Sequence, residues 1–318
     1  MTAMMDENET SDQKRERKQQ PQKASIASNI VASSTTSSPV PSPASGQLNL
    51  LTDYTLLRNR WEIIQKLFFG GFGEVYLARD LESDEKVAIK VESARGEQVQ
   101  LPLELQIMKN YQGKKHALKL LGSGTDVAPN ELSRCAELLK NSELRDLFQI
   151  HRDIKPSNFA VGRPETPDHF VLYLLDFGLA RYYVDSNGNV KPPRPIVGIR
   201  GTLRYCSPVT LRREDLGRKD DLTSLFYTLF ELFAGDALPW RSIKTPLEIL
   251  ELKEQYTVVA LASSLPPQFV IVAEHVASLS FSDTPDYELI MDALKSLERE
   301  SHIKATDPWD WDSTMANV

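Results

Sequence analysis

Cysteine is nearly missing from this chain: two in 318 residues, Cys135 and Cys206, in unrelated contexts. That excludes a disulfide framework or a thiolate zinc site and suits a reducing compartment. No apolar run approaches the about 20 residues that span a bilayer, and the N-terminus lacks the apolar core of a signal peptide. Positive charge is not in excess either. A formal net charge of −7 argues against a general nucleic-acid binder, though not against a local basic patch. Large apolar residues are almost absent from 1 to about 47, where Ser, Thr, Gln, Lys and Pro dominate, so residues 1–47 are read as a disordered tail unable to offset the cost of ordering. Lys14-Arg15-Glu16-Arg17-Lys18 reads as solvated tail in preference to a nuclear address, and Ser38-Pro39 and Ser42-Pro43 are candidate proline-directed phosphorylation sites. The expectation is an intracellular protein of the cytoplasm or nucleus.

What is present fits a soluble globular protein: 41% hydrophobic and 25% charged residues. Arg60 to Leu67, Val75 to Arg79 and Glu85 to Glu92 are β-prone, and Phe68-Phe69-Gly70-Gly71-Phe72-Gly73 turns between the first two. Strand, glycine turn, strand, strand predicts an antiparallel sheet and not the strand-to-helix unit of a dinucleotide fold. Leu101 to Tyr111 has helical spacing, with Glu104 inside it. The C-terminal half is helical. Asp221 to Phe233 is apolar on nearly every side and predicts a buried central helix. Thr245-Pro246-Leu247-Glu248 reads as a capping box opening a helix to about Tyr256. Another helix follows Pro266-Pro267 with Phe269, Val272, Val276 and Leu279 on one face, and Asp283 or Thr284 is the expected cap of the last.

The chemistry concentrates in His151-Arg152-Asp153-Ile154-Lys155-Pro156-Ser157-Asn158, followed by Asp176-Phe177-Gly178. An acid, a lysine two residues on, an asparagine five on and a second acid before Phe-Gly are what a phosphoryl-transfer site demands. Asp153 would accept the proton of an attacking hydroxyl. Asn158 and Asp176 are hard oxygen ligands for Mg²⁺, which needs only one or two carboxylates beside phosphate oxygens. Gly70 and Gly73 would let a backbone turn approach phosphates, with Val75 just beyond them. Lys90, closing Val87-Ala88-Ile89-Lys90, would reach the α- and β-phosphates and be held by Glu104. Lys155 would neutralise the transferring group.

Taken together these residues resemble the eukaryotic protein kinase family from about residue 58 to 312. More narrowly the chain looks like the casein kinase I group and its tau-tubulin kinase branch. The further carrying residues are Leu175 to Arg181, Lys191-Pro192-Pro193-Arg194, Gly217-Arg218-Lys219-Asp220-Asp221-Leu222, Leu238-Pro239-Trp240-Arg241 and Asp307-Pro308-Trp309-Asp310-Trp311. Gly201-Thr202-Leu203-Arg204-Tyr205-Cys206-Ser207 stands where most kinases have Ala-Pro-Glu. The resemblance implies an α+β, two-lobed kinase fold: a truncated, small antiparallel β lobe over 48–125, a larger mainly α lobe over 126–312, and a tail at 313–318. It implies ATP and Mg²⁺ as cofactors and protein substrates as partners, with no nucleic acid, no membrane and a monomeric state. Lys155 marks a Ser/Thr acceptor, Asp221 would hold the catalytic-loop backbone, and Thr202 would line the acceptor site beside Asp153 and Lys155.

From Arg181 to Lys219 nine basic residues face three acidic ones. Such a loop favours acidic or already phosphorylated substrates, with Arg194, Arg200, Arg204 and Arg218 as the anion-binding candidates. Two departures stand against the pattern. Phe68 occupies the place of the family's first glycine, where it would crowd the ribose or stiffen the loop. Between Gly124 and His151 lie only 26 residues, and a complete member needs roughly twice as many there for two strands, a hinge and two helices. Glu131 to Phe148 looks like one helix. This reads as a deletion, leaving three strands of five and an exposed apolar edge. The leading reading is a Ser/Thr protein kinase; the alternative is a kinase-fold protein with impaired catalysis that acts as a binding or scaffolding module.

Overall fold

The β-prone runs on either side of the glycine turn do pair as an antiparallel sheet. The computed structural model describes residues 50–70, 73–92, 100–114, 116–123, 149–162, 166–185, 187–235 and 237–302. Strands β2 (Trp61–Gly70), β3 (Gly73–Asp80) and β4 (Lys86–Val91) follow one another in a meander, with Trp61 opposite Asp80 and Glu74 opposite Val91. Alternation along β3 buries Glu74, Tyr76, Ala78 and Asp80. Ile63, Tyr76 and Ala78 form the small lobe's core, and Leu51, Leu57, Val87, Ile89 and Val91 close on it. A fourth strand, β1 (Leu56–Leu57), pairs with the start of β2 and is new relative to the sequence reading. Its two-residue turn holds Arg58 and Asn59 at φ 51° and 53°, the left-handed pair of a tight hairpin, and Asn59 was its only local signal. Among the described residues nothing pairs with the outer edge of β4, where Ala88 is exposed and Val87, Ile89 and Val91 are half-buried.

Helix α1 (Leu101–Tyr111) is tied to this sheet by the ion pair of Glu104 with Lys90 of β4. Its first amides are capped from outside. The Glu92 carboxylate, just past β4, accepts from Gln100 N at 2.9 Å and Leu101 N at 2.7 Å. Further on, β5 (Gln149–Ile150) pairs with β8 (Arg181–Tyr182), and β6 (Phe159–Val161) with β7 (Leu172–Leu174). Single 3₁₀ turns at Pro156–Asn158 and Phe177–Leu179 sit between these ladders.

The remainder is helical: α2 (Pro208–Leu211), α3 (Arg218–Ala234), α4 (Pro246–Gln255), α5 (Val258–Ala262), α6 (Pro267–Ser278) and α7 (Tyr287–Glu300). This is the expected two-lobed α+β arrangement of an antiparallel sheet followed by a mainly helical region. The α3 helix is central, but its buried face is not the purely apolar one expected. Ser224 and Thr228 lie on it beside Phe226, Tyr227 and Phe230, their hydroxyls donating to the carbonyls four residues back at 3.0 and 2.9 Å. Phe233 is 50% exposed because the last turn of α3 overruns the core. Two caps also differ. Thr245 precedes α4 but its side chain makes no capping bond, and Pro246 alone marks the start. Asp286, not Asp283 or Thr284, caps α7 by accepting from Leu289 N; Asp283 accepts from Ser280 N and Thr284 from Arg218 instead. The expected tails, the helix over 131–148, Phe72 and the Asp307–Trp311 motif lie outside the described residues. Among those described, no helix is long and apolar enough to cross a membrane.

Candidate active site

The loop from His151 to Asn158 is held from three directions. Asp221, in the first turn of α3, accepts from His151 N at 2.6 Å and Arg152 N at 2.8 Å. Its burial raises the Asp221 pKa, opposed first by the charge of His151 and then by those two amides. The His151 ring bonds Leu175 O at 2.9 Å, and Arg152 Nε donates to Leu179 O at 2.6 Å. Arg152 is itself at φ 68°, a left-handed conformation that costs energy outside glycine and persists because these bonds fix both its sides. Asp153 follows, buried. Its Oδ1 accepts from Thr202 N (2.9 Å) and Thr202 Oγ1 (2.8 Å), and its Oδ2 from Lys155 Nζ (2.8 Å). Lys155 also reaches Thr202 Oγ1 at 3.1 Å. Asn158 Nδ2 donates to Asp153 O at 2.8 Å. Gly201 makes the approach of Thr202 possible: at φ 87° it is left-handed, and a Cβ there would lie 2.5 Å from Arg152 O.

A second cluster bridges the lobes. Lys90 Nζ donates to Glu104 Oε2 of α1 at 2.6 Å and to Asp176 Oδ1 at 2.8 Å. Burial works against its charge, but the two carboxylates outweigh it and raise the Lys90 pKa. Burial likewise lifts Glu104, whereas the Lys90 ammonium overcomes burial at Asp176 and lowers it. Asp176 adopts φ 59°. The next residue fixes it: the Phe177 ring stacks on Tyr111 of α1 at 5.9 Å and meets the His151 ring edge-on at 5.0 Å. Behind the pair is a mainly apolar cavity of about 240 Å³ lined by Met108, Tyr111, Leu118 and Phe177. That is below the usual volume of a small-molecule pocket.

The residues fit the group that the sequence implies. Asp176 and Asn158 supply hard oxygens, and the Asn158 amide nitrogen is already committed to Asp153 O, which leaves its carbonyl oxygen to coordinate. Among the described residues no cluster of three or more His, Cys, Asp or Glu could hold a metal alone, as expected of an ion that completes its shell with phosphate and water. Gly70 and Gly73 face each other at the hairpin tip, and Val75 lies opposite Lys90. Gly73 is at φ 112°, and a Cβ there would stand 2.3 Å from Val91 O. Phe68 is 64% exposed and stands opposite Val75, on the sheet face that carries Lys90.

The four basic candidates divide. Arg194 pairs with the buried Asp215 carboxylate (2.8 Å), which Arg181 also contacts at 2.7 Å. The charges of Arg194, Arg200 and Arg181, after burial, pull the neighbouring Arg152 down to about 10. Arg204 and Arg218 do not join this group. Arg204 faces Glu231 at 3.4 Å, and Arg218 donates to Thr284 and lies over the Tyr183 ring. Sequence reasoning gave no role to Arg152, Asp215, Tyr111 or Glu92. Only Arg152 had a local signal, its place inside the loop.

Such a site, a buried carboxylate between a lysine and a threonine below a lysine–carboxylate bridge, defines the phosphotransferase class. A sequence profile described as the protein kinase domain matches residues 148–273. The chain is 34% identical over 288 residues to a probable serine/threonine-protein kinase of Dictyostelium discoideum, covering 81% of this chain and 57% of that protein. It is 30% identical over 285 residues to a putative serine/threonine-protein kinase of Caenorhabditis elegans (80% and 82%), and 27% identical over 301 residues to the serine/threonine-protein kinase spe-6 of the same worm (83% and 79%). The chain therefore spans just over half of the slime-mould relative and about four-fifths of the worm ones. It belongs to the protein kinase family, among the serine/threonine-protein kinases.

Proposed function

We propose that this chain transfers the γ-phosphoryl group of Mg·ATP to serine and threonine hydroxyls of protein substrates. The observation that carries the reading is the Asp153 carboxylate, buried, oriented by Thr202 and bridged to Lys155 at 2.8 Å. A substrate hydroxyl entering there displaces one of these donors, gives its hydrogen bond to Asp153 and loses its proton to it as the oxygen attacks. Lys155 offsets charge on the transferring group, and Lys90, fixed by Glu104, orients the phosphates across the Gly70–Gly73 turn and Val75. Asp176 and Asn158 would hold Mg²⁺. When bound, Mg·ATP supplies the phosphoryl group and part of its charge neutralisation. The lobes divide at about residue 125.

Within the family we assign the chain to the casein kinase I group and the tau-tubulin kinase branch, on Gly201–Ser207 in place of Ala-Pro-Glu and on Lys191-Pro192-Pro193-Arg194. Its substrates are acidic or already phosphorylated. Arg194 and Arg200, with Arg152 and Arg181, support that preference through one local excess of positive charge around Asp215. Arg204 and Arg218 contribute less, being engaged elsewhere. The test is transfer of labelled γ-phosphoryl to casein by the full chain, with Asp153→Asn as control. Transfer that disappears in the variant supports the reading. A folded protein that binds no Mg·ATP by calorimetry supports the scaffolding alternative, which the short interval between Gly124 and His151 favours.

A further inference from the structure

Lys253 is the most deeply buried lysine among the described residues, 1% exposed on the inner face of α4. It sits four residues after Ile249, on the stripe where an apolar side chain would pack at lower cost. Its surroundings explain why a lysine stands there. The Nζ donates to Leu203 O at 2.8 Å and Cys206 O at 2.5 Å, and lies 5.0 Å from the Tyr227 ring centroid and 5.1 Å from that of Trp240. Two carbonyls and two aromatic faces make a cage for a cation. Burial lowers the Lys253 pKa to about 8, so the ammonium persists at neutral pH.

The carbonyls it holds belong to the turn that carries Thr202. Trp240 Nε1 donates to Arg204 O at 2.8 Å, between the two carbonyls taken by Lys253. On the other side of the turn, Tyr205 N and Cys206 N both donate to Thr202 O at 2.9 Å. Thr202 in turn gives its amide and hydroxyl to Asp153 Oδ1. A continuous set of bonds thus runs from α4 to the carboxylate without Lys253 approaching the reacting atoms.

We infer that Lys253 is a positioning residue: its ammonium clamps the Leu203–Cys206 backbone and so holds Thr202 against Asp153. The inference rests on the role proposed above for Asp153, but its first readout does not. In full-length Lys253→Met, deuterium exchange at the amides of 202–206 should rise by about tenfold while α6 keeps its protection, the pattern of a local opening. Phosphoryl transfer by the same variant should lose about tenfold in kcat with KM for ATP within about twofold, as when an interaction made only in the transition state is removed. Unchanged exchange at 202–206, a rise spread evenly over the large lobe, or an undiminished kcat overturns the inference. Wild-type protein that transfers nothing refutes the kinase activity instead, and the exchange data alone then decide on the clamp. Should Lys253→Met not fold, lysine-selective ¹⁵N labelling of the wild type decides. A slowly exchanging ammonium with contacts to the Tyr227 and Trp240 rings supports the clamp; no such resonance overturns it.

Discussion

Asp153 and Lys90 each sit at the centre of a polar cluster, but the two clusters rest on different foundations. Around Asp153 the buried Asp221 holds the backbone amides of His151 and Arg152, the Leu175 and Leu179 carbonyls hold those residues' side chains, and the Thr202 turn holds the carboxylate. Beneath it is a core of fourteen buried residues including Phe226, Tyr227, Trp240 and Phe269. Around Lys90 the bonds run mostly between side chains, with one backbone amide, Gly178 N, donating to Asp176 at 3.4 Å, and with Lys90 23% and Asp176 34% exposed. Among the described residues the small-lobe core behind them has three buried ones, Ile63, Tyr76 and Ala78. Phosphoryl transfer needs a fixed acceptor geometry and a nucleotide that enters and leaves, and this asymmetry matches that division. The acceptor side is overdetermined and the nucleotide side is lightly supported.

The largest effect on this contrast should come from Asp221→Ala. Two buried amides lose their acceptor, at about 1–3 kcal/mol each, so urea unfolding of the large lobe should shift by about 2–5 kcal/mol and transfer should vanish. A shift as small as that of a surface substitution would break the comparison. Next is a pH effect at the neighbouring residue. Burial raises Asp220 to about 6 from its ordinary 3.8. A carboxyl whose proton binds more tightly in the folded state favours folding fully below the unfolded pKa, and that contribution is lost as pH rises through the folded one. Stability should therefore fall by about 3 kcal/mol between roughly pH 4 and pH 6, and Asp220→Asn should flatten that slope in denaturant titrations. Glu104→Gln should have the smallest effect on stability, under about 1 kcal/mol, because the amide oxygen still accepts from Lys90, which is 23% exposed and keeps Asp176. Its consequence should be confined to the nucleotide side, seen as a raised KM for ATP with unfolding of the large lobe unchanged.

The same contrast describes what could be read in the sequence. Strands β2 to β4, α1 and the loop from His151 to Asn158 were legible because their signals are local: alternation, helical spacing, and an acid, lysine and asparagine at fixed intervals. Lys90 and Glu104 could be paired in advance through the resemblance alone, and they meet at 2.6 Å; the second partner of Lys90, Asp176 at 2.8 Å, was not foreseen. The supports were not legible. Glu92 caps α1 across a loop, Asp215 gathers Arg181 and Arg194 from 34 and 21 residues away, and Lys253 takes carbonyls 50 and 47 residues before it. Tertiary contact sets each of these, and no local period marks them. The basic excess between Arg181 and Lys219 was correct as a sum, but chain proximity could not tell Arg194 and Arg200 from Arg204 and Arg218. Phe68 was expected to crowd the ribose or stiffen the loop; it is 64% exposed and lies opposite Val75 in the ladder.

The most direct test of the asymmetry is the initial rate of γ-phosphoryl transfer by the full chain as a function of ATP concentration at saturating Mg²⁺ and protein substrate. A firmly held acceptor side with a lightly supported nucleotide side predicts a kcat of ordinary size, about 1–100 s⁻¹, reached only at ATP above about 1 mM, the upper end of common KM values. Saturation at micromolar ATP with a kcat far below that range, or no transfer at any ATP concentration by a folded chain, would contradict it.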